Sequence, residues 1–296
     1  MAKLPAHKLL DRYRVTDGRK FRLADYATDD TGGKWVDEAN APALLADGVA
    51  RLSGLQERLY AQRSWSLLAV FQAIDAAGKD GTIKHVMSGV NPQGVKVKAF
   101  KAPGEEELAH DFLWRVMREL PERGQVCIFN RSHYEEVLVV RVHPEMLARQ
   151  HLPEAVMGKK LFKERLEDIA YFESYLARQG MVVLKFFLHV SREEQRRRLL
   201  ERLDKPAKHW KFSTGDVIER QHWDEYMDAY EAAIRATASP AAPWYVVPAD
   251  HKWFTRLVVV AAMVEALERL DLKMPTVSDQ AKVGLAAARA ELMKEG

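Results

Sequence analysis

The sequence predicts an α/β domain in three layers: a parallel sheet of about five strands, helices on both faces and a helical lid at one edge. Three observations carry this. First, apolar runs of strand length recur at 66–74 (SLLAVFQAI), 125–130 (QVCIFN), 181–190 (MVVLKFFLHV) and 244–248 (WYVVP). They lack the alternation of a half-exposed strand, so both faces are expected to be covered. Second, segments with apolar residues at helical spacing lie between them. Third, the run at 66–74 passes through a glycine-containing turn straight into GTIKHVMSGV, which reads strand, tight loop, helix.

Residues 1–40 are polar and irregular, with DDTGG at 29–33 reading as a loop, and are expected to form an N-terminal extension. Leu44, Leu45, Val49, Leu52, Leu55 and Leu59 space an amphipathic helix over 41–63, interrupted at Gly48 or Gly54. VKVKAF (95–100) alternates and is the second strand. EEELAHDFLWRVMREL (105–120) reads as one strong helix stopped by Pro121 and Gly124. Leu161, Phe162, Leu166, Ile169, Phe172 and Leu176 mark a helix within 155–179, and further helical patterns cover 192–203, 214–236 and 252–270. In Trp223, Tyr226 and Tyr230 the i, i+3, i+7 spacing favours a core stripe over a base-stacking ladder. The α/β domain is expected over 41–274, its lid over about 192–236, and a loosely attached helical tail over 275–296.

Composition excludes several classes. At 47% hydrophobic and 29% charged, the chain has an ordinary globular balance. Its longest apolar run near the C-terminus, Leu257 to Val264, is far shorter than a membrane span. MAKLPAHKLLDRYR has no apolar stretch of the secretory kind. One cysteine, Cys127, makes neither an intrachain disulfide nor a cysteine-rich zinc site, so a reducing cytoplasm is the expected compartment. A net charge of +3 argues against a nucleic-acid partner. The positive charge is local instead: Arg192 to Lys211 holds eight Lys/Arg against four Asp/Glu.

The stretch Val70 to Thr82 (VFQAIDAAGKDGT) carries the clearest chemistry. Backbone N–H groups at a helix N-terminus wrap an oligophosphate, the helix dipole adds to them, and Lys79 supplies a full charge. Ala76, Ala77, Gly78, Asp80, Gly81, Thr82 and Lys84 complete the expected cradle, with Gly78 and Gly81 allowing close approach. The strict P-loop pattern fails twice, at Ala73 for its first glycine and at Asp80 for its metal-binding hydroxyl. A carboxylate beside phosphates needs a cation between them, which makes Asp75 the candidate metal ligand; a loop-capping carboxylate is the alternative. In Cys127 to Glu136 (CIFNRSHYEE) the strand ends at neutral Asn130, Arg131 is placed to reach a transferring phosphoryl group, and Glu135 follows. Helix-terminal acid is the competing role for Glu135.

Any two phosphate-bearing ligands meeting at this loop would repel, so cations are expected to converge between them. Arg198, Arg202, Lys208 and Lys211 belong to a basic run that would suit a bound polyanion, although Glu193, Glu194 and Glu201 sit at spacings that neutralise such a helix. Position after the fourth strand favours a lid that excludes water. A terminal phosphate is already largely anionic at neutral pH, so none of the ten histidines is assigned as a base. Lys98, Lys101, Pro103, His110, Asp111 and Arg115, after the second strand, are the candidates for a second ligand; the last two share a helix face where they would pair.

AIDAAGKDGTIKHV, KAFKAP, AHDFLWR, IFNRSHYEEVLVVRV and LDKPAKHWKFS, in this order, resemble the polyphosphate kinase 2 family over roughly residues 40–272. Asn130 where other branches carry Asp, and Glu135 where others carry Asn, resemble class III, whose members phosphorylate nucleoside mono- and diphosphates. The resemblance implies a thymidylate-kinase-like P-loop fold, transfer from inorganic polyphosphate to AMP and ADP, and assembly as a homodimer or homotetramer. Magnesium, or manganese in its place, would sit near Asp75 and Glu135. The resemblance maps the family's phosphate loop onto Asp75 to Gly81, its Walker B arginine onto Arg131 and its lid onto Arg198, Arg202, Lys208 and Lys211, and it implies that the second ligand, at Lys98 to Arg115, is the acceptor nucleotide. Two other readings compete: an ATP-dependent nucleoside monophosphate kinase, against which Asp80 argues, and a phosphate-binding protein without turnover, against which Asp75, Lys79 and Arg131 together argue.

Overall fold

The computed structural model describes residues 9–33 and 36–295. A six-stranded sheet runs through it in the order β1-β6-β5-β2-β4-β3. Its strands are β1 (Arg14–Val15), β2 (Ser66–Gln72), β3 (Val95–Ala99), β4 (Val126–Asn130), β5 (Met181–His189) and β6 (Trp244–Pro248). The five strands read from sequence are all parallel to one another. The sixth, β1, is antiparallel to β6, with Arg14 opposite Tyr245. It comes from the segment read as polar and irregular, where Leu9, Leu10, Tyr13, Val15, Phe21 and Leu23 are in fact buried. Six apolar side chains spread over fifteen residues leave no period to detect, yet they cover both faces at the sheet's edge.

Helices α1 (Ala41–Gln62), α2 (Lys79–Val86) and α7 (Lys252–Glu268) pack on one face; α3 (Leu161–Arg178) and α6 (Trp223–Thr237) pack on the other. Between β5 and α6 the chain runs through α4 (Arg192–Asp204), a 3-10 segment Pro206–Lys211 and α5 (Thr214–Glu219). The tail helix α8 (Asp279–Leu292) buries no residue. Among the described residues no helix is long and apolar enough to cross a membrane.

Two helices differ from expectation. The first is unbroken across both glycines, because Gly48 faces α7: a Cβ there would stand 2.9 Å from Val260 Cγ1. Burial against a neighbour outweighs the weak intrinsic preference against glycine. Gly48→Ala is therefore expected to cost about 1–3 kcal/mol despite alanine's better helix propensity, because α1 and α7 must part. A denaturant melt as stable as the parent's would show that the two helices separate freely. The second, expected over 105–120, survives only as the turns Glu105–Leu108 and Trp114–Met117. Asp111 accepts a hydrogen bond from the Leu113 N–H at 3.0 Å, a local bond that competes with the helix. In α6, Tyr226 and Tyr230 are buried as a core stripe requires, while Trp223 is half-buried, and all three line a small cavity beside Asp75 and Arg131.

Candidate active site

The C-terminal ends of the adjacent strands β2 and β4 bring the two sequence motifs together. Their ladder continues past the strands, with the Arg131 N–H bonded to the Phe71 carbonyl at 3.0 Å. Ligands of parallel sheets bind outside this edge, where the chain switches direction across the sheet. From β2 the chain turns through Ala76 and Gly78, both left-handed at φ 61° and 108°, into the N-terminus of α2. At Gly78 this backbone, not lack of space, demands glycine, since a Cβ would meet nothing nearer than 3.6 Å. Gly81 has no such demand: nothing lies within 4 Å of a Cβ there.

Lys79 is buried under the loop, its ammonium donating to the carbonyls of Ala73 at 2.6 Å and Ile74 at 3.5 Å. The alanine in place of the first P-loop glycine thus holds the lysine through its backbone. Burial lowers the Lys79 pKa, and the nearby Arg131 charge lowers it further, against Asp75, Glu135 and Asp80. Arg131, at φ 63°, turns its guanidinium back towards the loop. It donates to Asp75 at 2.7 Å and Glu135 at 3.1 Å. Glu135 first, then Asp75, hold that group in its charged form against the burial that opposes it. Asn130 donates to Asp80 at 2.8 Å, tying the end of β4 to the first turn of α2.

Of the cavities that meet at this cluster, two are the larger. One, of about 560 Å³, is lined by residues 75–81, Lys101, Asn130, Arg131 and Arg202, together with Phe100, Trp210 and Asp216, which sequence reasoning missed. The other, of about 170 Å³, is lined by Lys101, Pro103, Arg115, Glu136 and Arg149 and reaches Arg131 and Glu135. Arg131 thus belongs to both, while Glu135 lines only the smaller of the two. Thr82 is buried behind the loop, its N–H bonded to the Gly78 carbonyl.

Other expected contacts lie elsewhere. Lys84 is exposed in the last turn of α2 and lines neither cavity. Lys98 is paired with Glu119 at 2.6 Å. His110 stacks on Trp114 and, with Asp111, lines a neighbouring cavity that shares Arg115. The expected Asp111–Arg115 pair is replaced by Arg115–Glu107 at 3.1 Å, because the helix that would have aligned them is broken. Arg198 is buried beneath the loop. Arg202 reaches the cavity wall and pairs with Asp216 at 2.8 Å, while Lys208 pairs with Glu201 at 2.8 Å. The Lys211 side chain lies outside the described residues. Glu193 and Glu194 also neutralise Arg196 and Arg197, so much of the basic run is paired on its own helix.

Two glutamines were missed. Gln72, buried at the end of β2, donates to Glu135 at 2.8 Å and accepts from Ser132 at 3.2 Å. Its signal was present: a polar side chain closing an otherwise apolar strand needs a partner at the strand end. Gln195 donates to the Asp75 carbonyl at 2.9 Å, which no local pattern announces.

A family model described as Polyphosphate kinase 2 (PPK2) matches residues 36–275. The chain belongs to the polyphosphate kinase 2 family. Among other members, the ADP-polyphosphate phosphotransferase of Rhodopseudomonas palustris is 46% identical over 284 residues, 96% of this chain and 98% of that protein. The AMP/ADP-polyphosphate phosphotransferase of Meiothermus ruber is 46% identical over 266 residues, 90% and 96% of the two chains. The crystal structure of polyphosphate kinase 2 from Arthrobacter aurescens TC1 superimposes with a TM-score of 0.83 at 41% identity, covering 93% of this chain and 95% of that one. The fold is therefore the P-loop-kinase-like α/β fold of the polyphosphate kinase 2 family.

Proposed function

We propose that this polyphosphate kinase 2 chain transfers the terminal phosphoryl group of inorganic polyphosphate to nucleoside monophosphates and diphosphates, taking AMP to ADP and ADP to ATP. The observation that carries this reading is the convergence of Asp75 and Glu135, from two separate loops, on Arg131 where two cavities join. The larger cavity, rimmed by the loop and Arg202, suits a phosphate chain; the smaller, with Lys101 and Arg115, suits the acceptor.

A divalent cation fits the same cluster. Two carboxylates already share one positive charge there, and magnesium is commonly held by one or two carboxylates plus substrate phosphates. Among the described residues no cage of three or more His, Cys, Asp or Glu side chains exists, which suits an ion bound largely through substrate. Asp75 and Glu135 would hold magnesium or manganese, which supplies neutralisation of phosphate charge. The chain's own part is positional. The first-turn N–H groups of α2 and Lys79 bind the donor phosphates, Arg131 bridges towards the transferring group, and Gln72 fixes Glu135. Of the lid expected over about 192–236, residues 192–222 act as the cover that excludes water, with Arg202 and Trp210 on its inner face, while α6 packs into the core. The homodimer or homotetramer implied by the family resemblance belongs to the same proposal.

The test is product formation with polyphosphate as sole donor and AMP, ADP, GMP and GDP as acceptors, with and without Mg²⁺, beside a parallel series with ATP as donor. AMP and ADP are both expected to be used with polyphosphate. Use of ADP but not AMP would remove the class III assignment, and activity with ATP alone would replace the donor. AMP carries one phosphate fewer than ADP, so its acceptor oxygen depends more on charge placed by Glu135. Glu135→Asn is expected to lower kcat/KM for AMP about tenfold more than for ADP, a difference of about 1.4 kcal/mol. Equal losses with the two acceptors would release Glu135 from acceptor selection.

A further inference from the structure

Arg198 has five N–H groups and five acceptors. Its Nε donates to Glu194 at 2.6 Å. Nη1 donates to the carbonyls of Ala77 at 2.6 Å and Ala76 at 3.3 Å. Nη2 donates to those of Ala249 at 2.5 Å and Asp250 at 3.1 Å, just beyond β6. The side chain is buried, so its guanidinium has no donor left for a ligand. Glu194 is itself fixed, its N–H bonded to Ser191 Oγ at 3.1 Å, and Ser191 in turn donates its N–H to Asp250 at 2.8 Å.

We infer that Arg198 is a positioning residue for the phosphate loop, not a rung of the polyphosphate track. In a trans peptide the carbonyl and the following N–H point opposite ways. With the Ala77 carbonyl pulled under the loop by Arg198, the Gly78 N–H is turned to the other side, towards the cavity that Gly78 lines. The left-handed backbone of Ala76 is unfavourable for a residue with a Cβ, and the bonds from Arg198 oppose its relaxation. A loop free to flip would present carbonyl oxygens to phosphate and repel it. The inference rests on the phosphate-loop reading of residues 75–81.

Titration calorimetry of the full chain with tripolyphosphate, and with a long-chain polyphosphate, tests it on Arg198→Lys and Arg198→Ala. Lysine keeps the charge but cannot span carbonyls from two loops. Both variants are expected to lose at least tenfold in affinity, by the same factor for the short and the long probe. Methylguanidinium, but not methylammonium, is expected to restore Arg198→Ala. Parent-like affinity in Arg198→Lys, or a loss that grows with chain length, would overturn the inference and make Arg198 a contact of the polymer. If Arg198→Ala fails to fold, Arg198→Lys still decides between these outcomes. A parent that binds no tripolyphosphate would overturn the phosphate-loop reading and this inference with it; a parent that binds beside unaffected variants would overturn the inference alone.

Discussion

Lys79→Met is expected to lower kcat/KM for polyphosphate-driven AMP phosphorylation by about a thousandfold, the effect of deleting a preorganised donor in a water-poor site. The side chain is held by the Ala73 and Ile74 carbonyls, within the field of Arg131, so its charge is in place before any phosphate arrives. Methionine matches its length without the charge. Lys79→Arg keeps the charge in a wider group that the carbonyl pair does not accommodate, and is expected to recover only part of the rate. The alkaline limb of the parent's kcat/KM profile gives a second check. Burial, then Arg131, lowers the Lys79 pKa, so the ammonium loses its proton at lower pH than a free lysine does, and activity should fall there first. Unchanged turnover in Lys79→Met, with melting like the parent's, would remove this residue from the mechanism.

Much of this site was legible because its motifs are local. The order strand, glycine turn, lysine, helix is a continuous stretch, and so is the strand that ends in Asn130 and Arg131. Their convergence followed from fold class alone, since neighbouring parallel strands deliver their ends to one edge. What sequence could not supply was pairing across long separations. Gln195 lies 120 residues from the loop carbonyl it holds, and Arg198 lies 121 from Ala77. On α4 the sequence did not separate buried Arg198 from Arg202 at the cavity wall, because spacing shows which residues share a helix face but not which face is turned to the core. The N-terminal strand was invisible for a different reason: two residues of ladder have no period, and their pairing is decided by the edge of β6. In the same way Gly48 looked like a helix breaker until its neighbour α7 was known.

Beneath the turn that carries Glu135, Lys185→Met is expected to destabilise the protein by about 3–5 kcal/mol. Lys185 is fully buried in β5; it is paired with Glu173 of α3 and donates to the Thr237 carbonyl at 2.8 Å and the Tyr134 hydroxyl at 3.2 Å. The Tyr134 hydroxyl, with one hydrogen to donate, lies 2.8 Å from both Glu173 Oε1 and Thr237 Oγ1, and the Trp244 indole N–H reaches Thr237 as well. Removing the ammonium strands a carboxylate where water cannot enter, and that penalty exceeds the lost attraction itself. Burial alone drives the Glu173 carboxyl upward; in the parent Lys185, then His133, more than cancel this and hold it below its ordinary 4.5. The parent therefore loses this contribution as pH falls through that lowered value. In Lys185→Met burial prevails, Glu173 takes up a proton more readily than in the unfolded chain, and the penalty shrinks as pH falls towards the ordinary carboxylate range. The gap between parent and variant should thus be widest near neutral pH and narrow on acidification. Adding Glu173→Leu to Lys185→Met should recover at least half the loss, since an uncharged pair leaves nothing ionised in the core. Denaturant melts of the three proteins at neutral and acidic pH read all three effects. A Lys185→Met chain as stable as the parent at neutral pH, or a double variant weaker than the single one, would show that the network does not brace the turn beneath Glu135.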